Sequence, residues 1–174
     1  MLEPKHLSHD AIPVALEKAL RYRLLNEPHE AESICHDILA SEPENQEALI
    51  TLLLATTDQF ENQVAKDLES AKEIVPQLAG QYEQAYYMGI VLERWGKAQL
   101  AKDMPPDFAV GWFRNALRQY ELAESLSEPD DPDAILRWNA CARILNRFDH
   151  DSSHADSVSH DIAASFGDDV PPSR

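Results

Sequence analysis

Glycine is scarce in this chain, with 5 residues among 174, and cysteine is scarcer, with 2. So few glycines leave no glycine-rich loop to cradle a phosphate. Cys35 and Cys141 stand far apart and form no CxxC pair, which fits two reduced, buried thiols in a cytoplasmic protein. Basic residues are few as well: 15 Lys and Arg face 31 Asp and Glu, for a formal charge of −16. A field of that sign repels phosphate backbones and anionic head groups, so nucleic acid and membrane surfaces are poor partners. No run approaches the ~20 consecutive apolar residues of a membrane span. The acidic opening MLEPKHLSHDAIPVALEKAL is not that of a signal or transit peptide. HExxH and GxSxG are both missing. No enzymatic activity, bound metal or cofactor is therefore expected.

What is present favours helix. Hydrophobic residues make up 44% of the chain, and Ala, Leu, Glu and Gln are abundant. Straight-chain side chains lose little rotamer freedom in a helix, so an all-α fold is expected. Apolar residues recur at helical spacing, and loops with Pro, Asn or Asp punctuate them about every 15 residues. A first helix is expected from Asp10, acting as N-cap and followed by a tolerated Pro13, to near Asn26. A second runs from Pro28 to near Ser41, a third from Asn45 to Asp58, and a fourth from Asn62 to Val75, closed by Pro76. The fifth starts near Gly80 and, weakened only by Gly89 and Gly96, extends almost to Pro105. A sixth starts at Pro106 or Asp107 and breaks in SEPDDPD, and a seventh covers about Asp133 to Phe148. This gives an arm over 1–9, a helical domain over 10–148 and a tail over 149–174.

The hairpins repeat. With about 34 residues between equivalent positions, Ala31 in the second helix matches Ala65 in the fourth. In the first hairpin Ala19, Tyr22, Ala31, Cys35 and Pro43 hold the small, aromatic, small, bulky and proline places, and PEN forms the turn. Met88, Gly89 and Leu92, with Gly96 at a turn, continue the pattern, and Ala116, Tyr120 and Ala123 resume it. Trp138, Cys141, Ala142 and Leu145 close it. The chain thereby resembles the tetratricopeptide repeat (TPR) family, whose pattern is W-x2-L-G-x2-Y, A-x3-F and P. The resemblance implies a right-handed superhelical stack, or α-solenoid, of about three antiparallel hairpins with a terminal capping helix. The segment Lys97 to Val110 departs from the regular repeat length.

By that resemblance, the first helix of each hairpin lines a concave groove that takes a partner protein or peptide. The lining residues carried onto this chain are Leu16, Leu20 and Arg23, then Glu47, Ile50 and Leu54. Glu83, Tyr86, Ile90 and Arg94 follow, and Asn139, Arg143 and Arg147 complete the set. The middle is apolar and one end is basic, which suits an apolar helix or extended segment better than an acidic peptide clamped by its carboxylate. Self-association through the end helices, or a chaperone role like that of small secretion-type repeat proteins, is the alternative.

The one stretch that looks reactive is HEAESICHDIL, where Cys35 adjoins His36 and His29 lies two turns away. Neighbouring helical residues point about 100° apart, so Cys35 in the core would turn His36 to solvent and leave it no base for a nucleophile. In the tail, His150, His154 and His160 stand among aspartates, a set that could bind a transition metal weakly. Val158, Ile162 and Phe166 follow helical spacing there, which suggests a short segment docking near Arg143 and Arg147.

Overall fold

The computed structural model describes residues 3–61, 66–102 and 105–148. Among them it holds seven α-helices and no strand. The helices are α1 (Ile12–Leu24), α2 (Pro28–Ser41), α3 (Gln46–Asp58), α4 (Lys66–Ile74), α5 (Gln81–Ala101), α6 (Pro106–Leu126) and α7 (133–148). Two 3₁₀ turns, His9–Ala11 and Val75–Gln77, precede α1 and follow α4. Ala65, the start expected at Asn62 and every expectation for the tail over 149–174 lie outside the described residues.

Local chemistry accounts for most of the boundaries. Pro28 opens α2 and Pro106 opens α6, in the first turn, where a missing N–H costs nothing. Asn45 caps α3, its Oδ1 accepting from the Ala48 amide at 3.0 Å. Asn26 takes a left-handed conformation, φ 60°, in the tight link between α1 and α2. Asp10 does not cap the first helix as expected. It lies in the 3₁₀ turn, and Ala11 is the N-cap residue, with no side-chain hydrogen bond. Gly96 is likewise not at a turn, because α5 continues past it to Ala101. The expected irregularity over 97–110 is thus two lengthened helices, α5 and α6, of 21 residues each.

Each helix packs on the next along the chain from α1 to α6, and α1, α3 and α5 also touch in series. One core gathers Ala19, Cys35, Leu53, Phe60, Leu78 and Trp95. A second gathers Phe113, Ala116, Tyr120 and Cys141, with Trp138 and Leu145 of α7 against it. Leu54, Tyr87, Met88 and Trp112 pack on both, so the apolar interior is continuous. The glycines of α5 make its pairing with α6 possible. A Cβ at Gly89 would meet the Tyr120 ring at 2.5 Å, and one at Gly96 would meet Phe113 and Trp112 at 3.3 Å.

Candidate protein-binding site

The face shared by α1, α3 and α5 carries most of the residues expected to line a groove. Between α1 and α3 lies a cleft of about 610 Å³. Its floor is Ile12, Pro13, Leu16 and Leu20, and Leu20 is 46% exposed. Glu17 and Glu47, both exposed, and Glu42 add carboxylates to its lining, beside His9. Helical period puts Pro13, Leu16, Glu17 and Leu20 on one stripe of α1. Glu42 accepts from the Asn45 amide at 2.9 Å and from His9 at 3.0 Å. These bonds hold its carboxyl below the usual carboxylate range.

Farther along the same face, Ile50 and Leu54 are partly buried against the first core. Glu83 and Tyr86 are half-buried, and Tyr86 stacks on Tyr82 at 5.7 Å between ring centroids. Ile90, expected among the lining residues, is 5% exposed and belongs to the second core, so it lines nothing. Its side chain joins Leu92, Phe113 and Tyr120 in that core, against which Leu54 and Tyr86 also pack.

The cations of this face are largely committed to internal bonds. Arg23 of α1 donates to Asp58 of α3 at 2.8 Å, and Arg94 of α5 donates to the other oxygen of the same carboxylate. Arg94 also donates to the Thr57 hydroxyl at 2.7 Å and the Leu54 carbonyl at 3.2 Å. Burial lowers the Arg94 guanidinium from its ordinary value, and Asp58 acts in the opposite direction. One carboxylate thus ties three helices together. On α7, Arg143 and Arg147 are exposed and Asn139 is half-buried.

A second polar centre was not anticipated. Glu93 of α5 is fully buried, and it accepts from the Tyr120 hydroxyl at 2.7 Å and from Lys97 at 2.6 Å. Arg137 of α7 places Nε 3.3 Å from Glu93 Oε2, within ion-pair distance but without the alignment of a hydrogen bond. Burial, reinforced by the Glu93 charge, raises the Tyr120 hydroxyl well above its ordinary value. The centre joins α5, α6 and α7, and one signal for it exists in the sequence. Gly89, Glu93 and Gly96 fall at i, i+4 and i+7, on the face where α5 meets α6 most closely.

The stretch around Cys35 separates its thiol from both histidines by burial. Cys35 is fully buried, which pushes its thiol up to about 12, and Cys141 is raised to about 12 for the same reason. His29 and His36 are exposed, and His36 pairs with Glu32 at 3.7 Å. Among the described residues no three His, Cys, Asp or Glu side chains gather so as to hold a metal ion. No helix among them is long and apolar enough to cross a membrane. No family model, curated protein or solved structure matches the chain.

Proposed function

We propose that this chain is a protein-interaction scaffold of the tetratricopeptide-repeat type, which binds a peptide or helical segment of a partner protein on the concave face formed by α1, α3, α5 and α7. The observation that carries this is the cleft between α1 and α3, where Leu16, Leu20 and Glu47 converge around an apolar floor left open to solvent. Exposed apolar side chains gathered in a concave site are the usual mark of a binding surface. The packing order supports the repeat architecture. In a stack of hairpins each odd-numbered helix touches its even partner and the next odd helix, as α1, α3 and α5 do here. The commitment of Arg23 and Arg94 to Asp58 weighs against an acidic ligand clamped at those positions.

The test is affinity capture from native extract with wild-type protein, a Leu20→Asp variant and a Leu122→Asp variant. Leu122 is 48% exposed and lines a separate cleft beside α4, α5 and α6. The scaffold role predicts a partner lost only with Leu20→Asp. Equal retention, or equal loss, in both variants overturns it.

A second use of the fold is self-association through the ends. Val14 of α1 is 56% exposed beside a cleft of about 360 Å³ that also takes in Leu7 and Ile34, and Leu136 of α7 is 59% exposed. Sedimentation over a concentration series decides it. A dimer disrupted by Val14→Asp or Leu136→Asp supports assembly, and a monomer throughout rules it out.

A further inference from the structure

We infer that the partner segment seated between α1 and α3 is a basic amphipathic helix, with an apolar stripe facing Leu16 and Leu20 and Lys or Arg on its flanks. This inference rests on the binding role of that face and narrows it to one chemistry. The charge of the cleft carries it. Three carboxylates, Glu17, Glu42 and Glu47, line it, and no Lys or Arg does. Two of them come from different helices, Glu17 from the same stripe of α1 as Leu16 and Leu20, and Glu47 from α3.

A helix laid along that floor buries its stripe at i, i+3, i+4 and i+7 spacing and carries its flanking side chains toward α1 and α3. Lysine and arginine suit this position for a second reason. Their methylene stems lie along apolar surface while the charge stays in water, so Pro13 and Leu20 can be covered without burying a cation. An acidic or neutral helix would desolvate the cleft carboxylates and return nothing for it. The protein's formal charge of −16 adds long-range attraction, which raises the encounter rate for a cationic segment and falls off with salt. The same charge repels polyanions and anionic lipid head groups.

Two synthetic peptides of about 18 residues test this, one of Leu and Lys and one of Leu and Glu, each with leucines at i, i+3, i+4 and i+7. Binding is followed by fluorescence anisotropy at low and at physiological salt. Because a cation may adhere anywhere on an acidic protein, two variants of equal net charge are compared: Glu17→Gln/Glu47→Gln in the cleft and Glu73→Gln/Glu124→Gln at exposed positions outside it. The Leu/Lys peptide is expected to bind, the Leu/Glu peptide not to bind, and the cleft variant to weaken binding about tenfold while the control stays within about twofold. Circular dichroism melts confirm that both variants fold. Equal weakening in the two variants, or binding of the acidic peptide, overturns the inference. The two readings fail separately: a captured partner that depends on Leu20 but not on Glu17 and Glu47 leaves the scaffold standing and removes the basic-helix assignment, whereas equal capture by the Leu20 and Leu122 variants removes the scaffold role.

Discussion

Glu93 is the residue on which the C-terminal half depends most. It is fully buried, and Tyr120, Lys97 and Arg137 converge on it from three directions. Lys97 and Arg137 keep part of their side chains in solvent, so removing Glu93 strands the buried Tyr120 hydroxyl more than the cations, a loss of about 1–3 kcal/mol. Glu93→Ala is accordingly expected to lower the chemical-denaturation midpoint sharply. Glu93→Gln, which still accepts from Tyr120, should cost less. Gly89→Ala illustrates a different constraint. Helix propensity favours alanine by about 1 kcal/mol, but the added Cβ would sit 2.5 Å from the Tyr120 ring, and overpacking of that kind costs about 1–3 kcal/mol. Net destabilisation is expected. Gly96→Ala, at 3.3 Å, should come out near neutral.

The cysteines give a residue-scale result with a definite sign. With folded thiols raised to about 12, roughly one in ten thousand is thiolate at pH 8. A disulfide reagent should therefore leave both untouched until the protein is denatured. Unfolded thiols titrate near the ordinary value of 9.0, so between about 9 and about 12 the unfolded chain releases protons that the folded chain retains. Stability then falls as pH rises through that window, by ~1.4 kcal/mol per pH unit for each thiol, and neither contributes below it. Denaturation midpoints of wild type and a Cys35→Ala/Cys141→Ala variant between pH 8 and pH 11 check this. The variant should show the shallower decline.

At the scale of the elements, the boundaries that carry local signals were legible in the chain, and those set by neighbours were not. Pro28 and the PEN turn define α2 and the start of α3 through backbone restriction and an Asn45 cap. Asn45→Ala should cost about 1 kcal/mol, read as a fall in melting temperature of a few degrees. Asp10 has the chemistry of a cap, yet the chain enters α1 through a 3₁₀ turn and the carboxylate is not placed to use it. The family resemblance placed Ile90 among the groove residues but carries no information on depth, and its side chain is buried in the second core. Glu93 was missed because in so acidic a chain a glutamate reads as solvated, even within the apolar run GIVLERW. Arg23 and Arg94 were legible as basic residues of one face, whereas their shared partner, Asp58, depends on the stacking of three helices. Asp58→Ala should thus destabilise more than Arg23→Ala, because it strands two guanidinium groups and not one carboxylate with a remaining partner.

At the scale of the whole molecule, charge and shape act together. The described helices leave a cleft lined by apolar and carboxylate side chains between α1 and α3, while α5, α6 and α7 are tied by the Glu93 centre. On the proposed binding role, Leu20 is the exposed apolar side chain of that cleft, while Ala19 and Cys35 are buried. Salt should weaken binding of a cationic segment there while raising folding stability, because it screens the self-repulsion of a chain at −16. The most direct measurement is a methyl NMR titration with the Leu/Lys peptide, following Leu16, Leu20, Ile50 and Leu54 on one face against Leu122 and Leu126 on the other. Saturable shifts confined to the first four are expected. Shifts centred on Leu122 and Leu126, or no saturable shift on either face, would contradict the assignment of the binding surface.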